Sequence, residues 1–184
     1  MKPWSVIGRV AALALPAAIA LAPGARAQEG AAPPPPDSIV HVTVAPVQAS
    51  PGASADAHVR ISVANGWHIN ANPANPDYMI ATVVEIAPVA GIKSGKVRYP
   101  AARQERLAFD PHPIAVYTGD VEARVPLAIA ADVRAGTQHL RGKLKFQSCN
   151  DQVCLAPATV GFDLELRVAA APARGAAPPA PAAG

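Results

Sequence analysis

"HLRGKLKFQSCNDQVCLAPATVGFDLELRV", His139 to Val168, holds two alternating runs with two cysteines between them. In the first run Leu140, Gly142, Leu144 and Phe146 share one side, opposite Arg141, Lys143 and Lys145. In the second, Val160, Phe162, Leu164, Leu166 and Val168 oppose Asp163, Glu165 and Arg167. Successive side chains of a strand point to opposite faces, so each run reads as a half-buried antiparallel strand. The pattern recurs upstream. Val59, Ile61 and Val63 alternate with His58, Arg60 and Ser62, and Val121, Ala123, Val125, Leu127 and Ile129 line up in the same way. Candidates at 39–45, 78–87, 95–99 and 114–117 bring the tally to about eight or nine short strands separated by Gly, Pro and Asn. The expectation is an all-β, immunoglobulin-like antiparallel β-sandwich with no amphipathic helix and no internal repeat.

The ends of the chain have a different composition. Residues 1–27 carry a short basic start, an apolar run from Val10 to Ala22 and the triplet Ala25-Arg26-Ala27. This is the pattern of a secretory signal peptide, with cleavage expected before Gln28. The apolar run is short for a membrane span and is interrupted by Pro16 and Pro23, so no stable membrane insertion is expected after cleavage. Residues 28–38 read as a Pro-rich linker that buries nothing, and 169–184 as a disordered Ala/Pro tail. The folded domain is then expected at 39–168.

Charge excludes one function class. The full chain has 16 basic and 13 acidic residues. Lys2, Arg9 and Arg26 lie in the signal, so the exported chain is balanced at 13 of each. There is no basic run and no aromatic residue interleaved with Lys or Arg, so nucleic acid is not an expected partner.

Cys149 and Cys154 are the only cysteines. An oxidising compartment makes a disulfide between them possible. As a staple it would do little: closing a loop of about six residues stabilises by roughly 2 kcal/mol, against nearly 5 for a loop of about 100. Continuing the alternation through Gln147 puts Cys149 in phase with Lys143 and Lys145, on an accessible side next to positive charge, which favours a reactive thiolate. Lys143 and Lys145 are themselves read as a solvated strand face. Direct pairing of the cysteines would set Leu144 opposite Thr159. Matching the apolar faces needs a one-residue shift, so a bulge or irregular turn is expected at 154–158, where Pro157 interrupts the ladder. The C-x4-C spacing is not that of a zinc site, and a soft-metal site using His68 or His112 is disfavoured, so neither metal nor cofactor is expected. His41, His58 and His139 read as polar-face strand positions.

Three segments in order, "GWHINANPANPDY" (66–78), "VYTGDVEARVPL" (116–127) and "FQSCNDQVCLAP" (146–157), resemble the N-terminal periplasmic domain of the thiol:disulfide interchange protein DsbD. The resemblance implies an immunoglobulin-like domain whose redox-active cysteine pair lies on adjacent strands. It implies a protein-disulfide reductase type of relay, in settings such as cytochrome c maturation. The second cysteine, here Cys154, would form the mixed disulfide, and Cys149 would resolve it. A cap loop would shield the pair, corresponding to "FDPHP" (109–113), with Phe109 or His112 as the covering side chain and Asp110 between them. His68 and Asn70 would flank the site where the best-known member carries tyrosines, and His68 near a thiol can stabilise a thiolate or shuttle a proton. Trp67 reads as core packing.

The membrane and thioredoxin-like domains of the full-length relative have no counterpart in this sequence, and the cysteine spacing is one residue shorter. The implied partners are therefore a separate thioredoxin-like or membrane thiol–disulfide donor and oxidised periplasmic proteins. The competing reading is a non-catalytic immunoglobulin-like binding domain with a structural hairpin disulfide.

Overall fold

The computed structural model describes residues 33–106 and 111–170. The signal peptide with its cleavage point, residues 28–32 of the linker and 171–184 of the tail lie outside the described residues. Twelve strands and one helical turn are present among the described residues. The two runs quoted first are β10 (Gly136–Phe146) and β12 (Ala158–Val168), paired antiparallel with Leu140 opposite Leu164 and Leu144 opposite Val160. They form a sheet with β5 (Val83–Ile86) along β10 and β2 (Val47–Ala49) along β12. A second sheet is ordered β1 (Val40–Val44), β3 (Ser54–Val63), β9 (Asp120–Ile129), β6 (Ile92–Ser94). The buried faces of these two sheets share one core. Val59, Ile61, Val125 and Leu127 from one sheet and Leu140, Leu144, Leu164 and Leu166 from the other are all essentially inaccessible to solvent. Alternation is what allows this, because each long strand buries every second residue and leaves the rest in water.

A third, smaller sheet closes one end: β11 (Ser148–Cys149), β4 (His68–Asn70), β8 (Ile114–Tyr117) and β7 (Arg103–Glu105). Its Ile69 and Tyr117 join the main core. Ile114 and Val116 form a separate small cluster with Met79. Tyr117 ties this end together, its hydroxyl meeting the backbone of Asn72 (3.1 and 3.3 Å) and the Pro100 carbonyl (3.4 Å).

The sandwich is as expected, and the strand inventory differs in several places. β2, β4, β7 and β11 have only two or three residues each, too few to show a period. Of 78–87 only Val83–Ile86 is strand, and of 95–99 only Arg98 makes a single bridge, to Arg124. One pairing, β2 with β12, is parallel rather than antiparallel. The Pro-rich stretch is exposed from Pro33 to Ser38, yet it ends in a helical turn, α1 (Pro36–Ile39), with the Ser38 hydroxyl donating to the Pro35 carbonyl at 2.7 Å.

Candidate functional site

The site begins where β10 stops. After Phe146 the chain leaves the β10–β12 ladder, and Ser148–Cys149 pairs instead with β4, Cys149 directly opposite His68 and Ser148 opposite Ile69. Gln147 is the pivot. Its side-chain amide donates to the Leu155 carbonyl (3.0 Å), and its oxygen accepts from Asn70 (3.4 Å). Phe146 faces Ala158 while Cys149 faces Cys154, so three steps along one strand are matched by four along the other. This is the expected one-residue shift, and it falls between Cys154 and Ala158.

Between the cysteines lies a tight turn. The Asn150 side-chain oxygen accepts from the backbone of Gln152 (2.9 Å) and Val153 (2.8 Å), while the Asn150 N–H donates to the Val153 carbonyl (2.9 Å). Asn in this position replaces a backbone turn with its own side chain. Past the turn, the Leu155 N–H returns to the Ser148 carbonyl at 2.9 Å. The cysteine Cα atoms are 4.0 Å apart and the pair is bonded as a disulfide.

The two sulfurs differ in access. Cys149 is 0% exposed, whereas Cys154 is half-buried next to Val153, which is 47% exposed. The expectation for Cys149 was the reverse. Its physical basis, unbroken alternation from β10, fails because the chain changes sheets at Gln147, which turns Ser148 and Cys149 inward. The positive charge expected from Lys143 and Lys145 is directed elsewhere as well. Lys143 and Lys145 stay exposed on β10, where both bridge Glu85 (3.0 and 2.7 Å) and hold its carboxyl below the usual range.

His68 lies directly opposite Cys149, and Asn70 is two residues further along β4. Both point to the face of β4 that carries Cys149, and both are buried, at 5% and 0% exposure. Asn70 donates to the Ile80 carbonyl (3.0 Å), and its own carbonyl accepts from the Thr82 hydroxyl (2.6 Å). Among the described residues, three buried side-chain atoms have no partner: His68 Nε2, Asn70 Oδ1 and Ser148 Oγ. Burial holds His68 below its usual protonation range, opposed in part by the carboxylates of Asp151 and Glu105. Beyond His68 an open cleft of ≈ 480 Å³ is lined by Trp67, Arg103, Glu105, Asp120 and Asp151. A separate apolar groove of ≈ 250 Å³ lies between Pro33–Pro36 and Leu155–Ala158. Trp67 is partly buried against the core, as expected. His112 is exposed ahead of β8, and Phe109 and Asp110 lie outside the described residues. Gln147, Ser148 and Asn150 were not singled out from sequence. Of these only Asn150 carries a local signal, the Asn-Asp turn pair that follows Cys149.

The family model described as thiol:disulfide interchange protein DsbD, N-terminal, matches residues 36–166. Compared with curated proteins by sequence, the chain has no match. Among solved structures, the reduced DsbD N-terminal domain of Neisseria meningitidis is 22% identical with a TM-score of 0.47, over 70% of this chain and 86% of that one. The N-terminal periplasmic domain of ScsB from Proteus mirabilis is 16% identical with a TM-score of 0.46, over 73% and 49%. A complex of the DsbD and PilB N-terminal domains of Neisseria meningitidis is 19% identical with a TM-score of 0.42, over 70% and 84%. The family match spans well over half of the chain, from α1 to near the end of β12, and includes both cysteines and β4. This chain belongs to the family of the N-terminal domain of the thiol:disulfide interchange protein DsbD.

Proposed function

We propose that this protein is an exported, periplasmic thiol–disulfide exchange module in which Cys154 is the sulfur that meets the partner and Cys149 the sulfur that resolves. The observation that carries this reading is the asymmetry of access, Cys154 half-buried and Cys149 fully buried within one tight hairpin. A staple needs no such difference. Exchange does, because an external disulfide must reach one sulfur in line while the second waits behind it.

The reduced pair then works in two displacements. The Cys154 thiolate attacks one sulfur of the partner's disulfide, forms a mixed disulfide and releases the first partner thiolate. The Cys149 sulfur attacks Cys154 Sγ, closes the Cys149–Cys154 bond and releases the second. Two electrons pass to the partner, which leaves as a dithiol. A separate dithiol, thioredoxin-like or membrane-borne, reverses the sequence and restores the reduced pair. The groove between Pro33–Pro36 and Leu155–Ala158 adjoins Cys154 and offers apolar surface to either partner.

Equilibration with a glutathione buffer tests the reading. The Cys149–Cys154 bond is expected to have a reduction potential above about −300 mV, in the range of exchangeable pairs. A value well below that marks a structural disulfide and the non-catalytic binding domain.

A further inference from the structure

We infer that His68 is the proton acceptor for Cys149 in the step that closes the disulfide. The inference rests on the exchange reading above and assigns a base to its second displacement.

The geometry comes first. His68 and Cys149 are directly opposed across the β4–β11 ladder. Residues so opposed point to the same face, with Cβ atoms about 4.5–5.5 Å apart. Both are buried, and Nε2 of the ring has no partner among the described residues. An orphaned buried nitrogen is costly, and the great majority of buried polar atoms are paired. In the disulfide state neither sulfur carries a proton. Reduction places an S–H on Cys149, in a position closed to water, and the unpaired nitrogen on the same face can accept it. The Cys149 S–H of the reduced state is thus a donor on the same face as Nε2.

Chemistry supplies the second part. Attack on Cys154 Sγ needs the thiolate of Cys149, and burial in apolar surroundings disfavours that thiolate. The proton must therefore leave as the sulfur attacks. Lys143 and Lys145 are committed to Glu85 on the other sheet. Asp151 is exposed and Glu105 is only partly buried, both on the cleft side of His68. Burial keeps the ring unprotonated near neutrality, ready to accept, and those two carboxylates stabilise the imidazolium once formed. Among the described residues the charged groups facing the ring's cleft are Arg103, Glu105, Asp120 and Asp151.

The step balances. The Cys149 sulfur bonds to Cys154 Sγ, the Cys154–partner bond breaks, and the electron pair leaves on the partner's sulfur as a thiolate. The Cys149 proton moves to His68 Nε2, and the imidazolium so formed releases a proton from its cleft side to water. When a donor reduces the pair, protonated His68 returns the proton to the departing Cys149.

The test separates the two displacements. A Cys154–thionitrobenzoate mixed disulfide is formed on the reduced full chain at acid pH. It is then jumped to higher pH, and closure is followed as release of the second thionitrobenzoate. In the unaltered protein the closure rate should rise through a single deprotonation in the histidine range and level off. In His68→Gln closure should be about 100-fold slower at neutral pH and should keep rising into the thiol range, the scale of a lost general base. Formation of the adduct on Cys154 should stay within about threefold. Closure at the original rate with the original pH profile would overturn the inference. If His68→Gln does not fold, imidazole nitrogen NMR of the unaltered protein decides: the Nε2 resonance should shift on reduction, and an unchanged resonance overturns the inference. An adduct that forms equally on Cys149 overturns the exchange reading, and the inference with it.

Discussion

Cys149 and His68 share a buried face, and the ring's environment has a consequence for stability that is independent of exchange. Desolvation lowers the folded-state affinity of His68 for a proton relative to the ordinary value of 6.5. Below that value the unfolded chain binds a proton that the folded chain refuses. Stability is therefore full above 6.5 and falls as the pH drops toward the lowered folded value. Urea midpoints of the oxidised protein should decrease across this window, and His68→Gln should remove that part of the decrease. Gly142 makes a different demand. A Cβ added there would stand 2.2 Å from Cε2 and Cζ of Phe162, its cross-strand partner, whose ring lies over the glycine. Gly142→Ala should destabilise by about 1–2 kcal/mol, read as a lower urea midpoint at unchanged slope, because the ring must move off the strand.

At the scale of elements, the cysteine hairpin is held by its turn as well as by its sulfurs. The Asn150 side chain accepts two backbone hydrogen bonds in the turn. Asn150→Ala should weaken the closed form by about 1 kcal/mol and raise the reduction potential by about 20 mV. An unchanged potential would mean that the turn does not prepare the pair for closure. Long strands were legible in the sequence and short ones were not. β10 and β12 each show five or more alternations, so their pairing and the one-residue shift toward the cysteines follow from matching apolar faces. β4 and β11 are three and two residues long and fully buried, which leaves no alternation to read. The inward turn of Cys149 arises from Gln147 exchanging one sheet for another, a tertiary event with no local signature. His68 and Asn70 were placed beside the cysteines by family resemblance, since a three-residue polar–apolar–polar run is too short to mark a strand.

At the scale of the whole molecule, the two long-stranded sheets provide a rigid body and the small sheet presents the chemistry at one end. The main core is built almost wholly of aliphatic residues from β3, β9, β10 and β12, whereas among the described residues the unpartnered buried polar atoms gather on β4 and β11. Residues of the cysteine hairpin line two surfaces of different character, Leu155 and Pro157 an apolar groove and Asp151 a charged cleft. The central claim is that one sulfur meets the partner and the other does not. Trapping tests it most directly. Reduced Cys149→Ala and Cys154→Ala proteins are each incubated with oxidised periplasmic extract, and disulfide-linked adducts are resolved without reductant. Cys149→Ala should capture partners through Cys154, and Cys154→Ala should capture few or none. Equal yields from the two variants, or no adduct from either, would contradict the account.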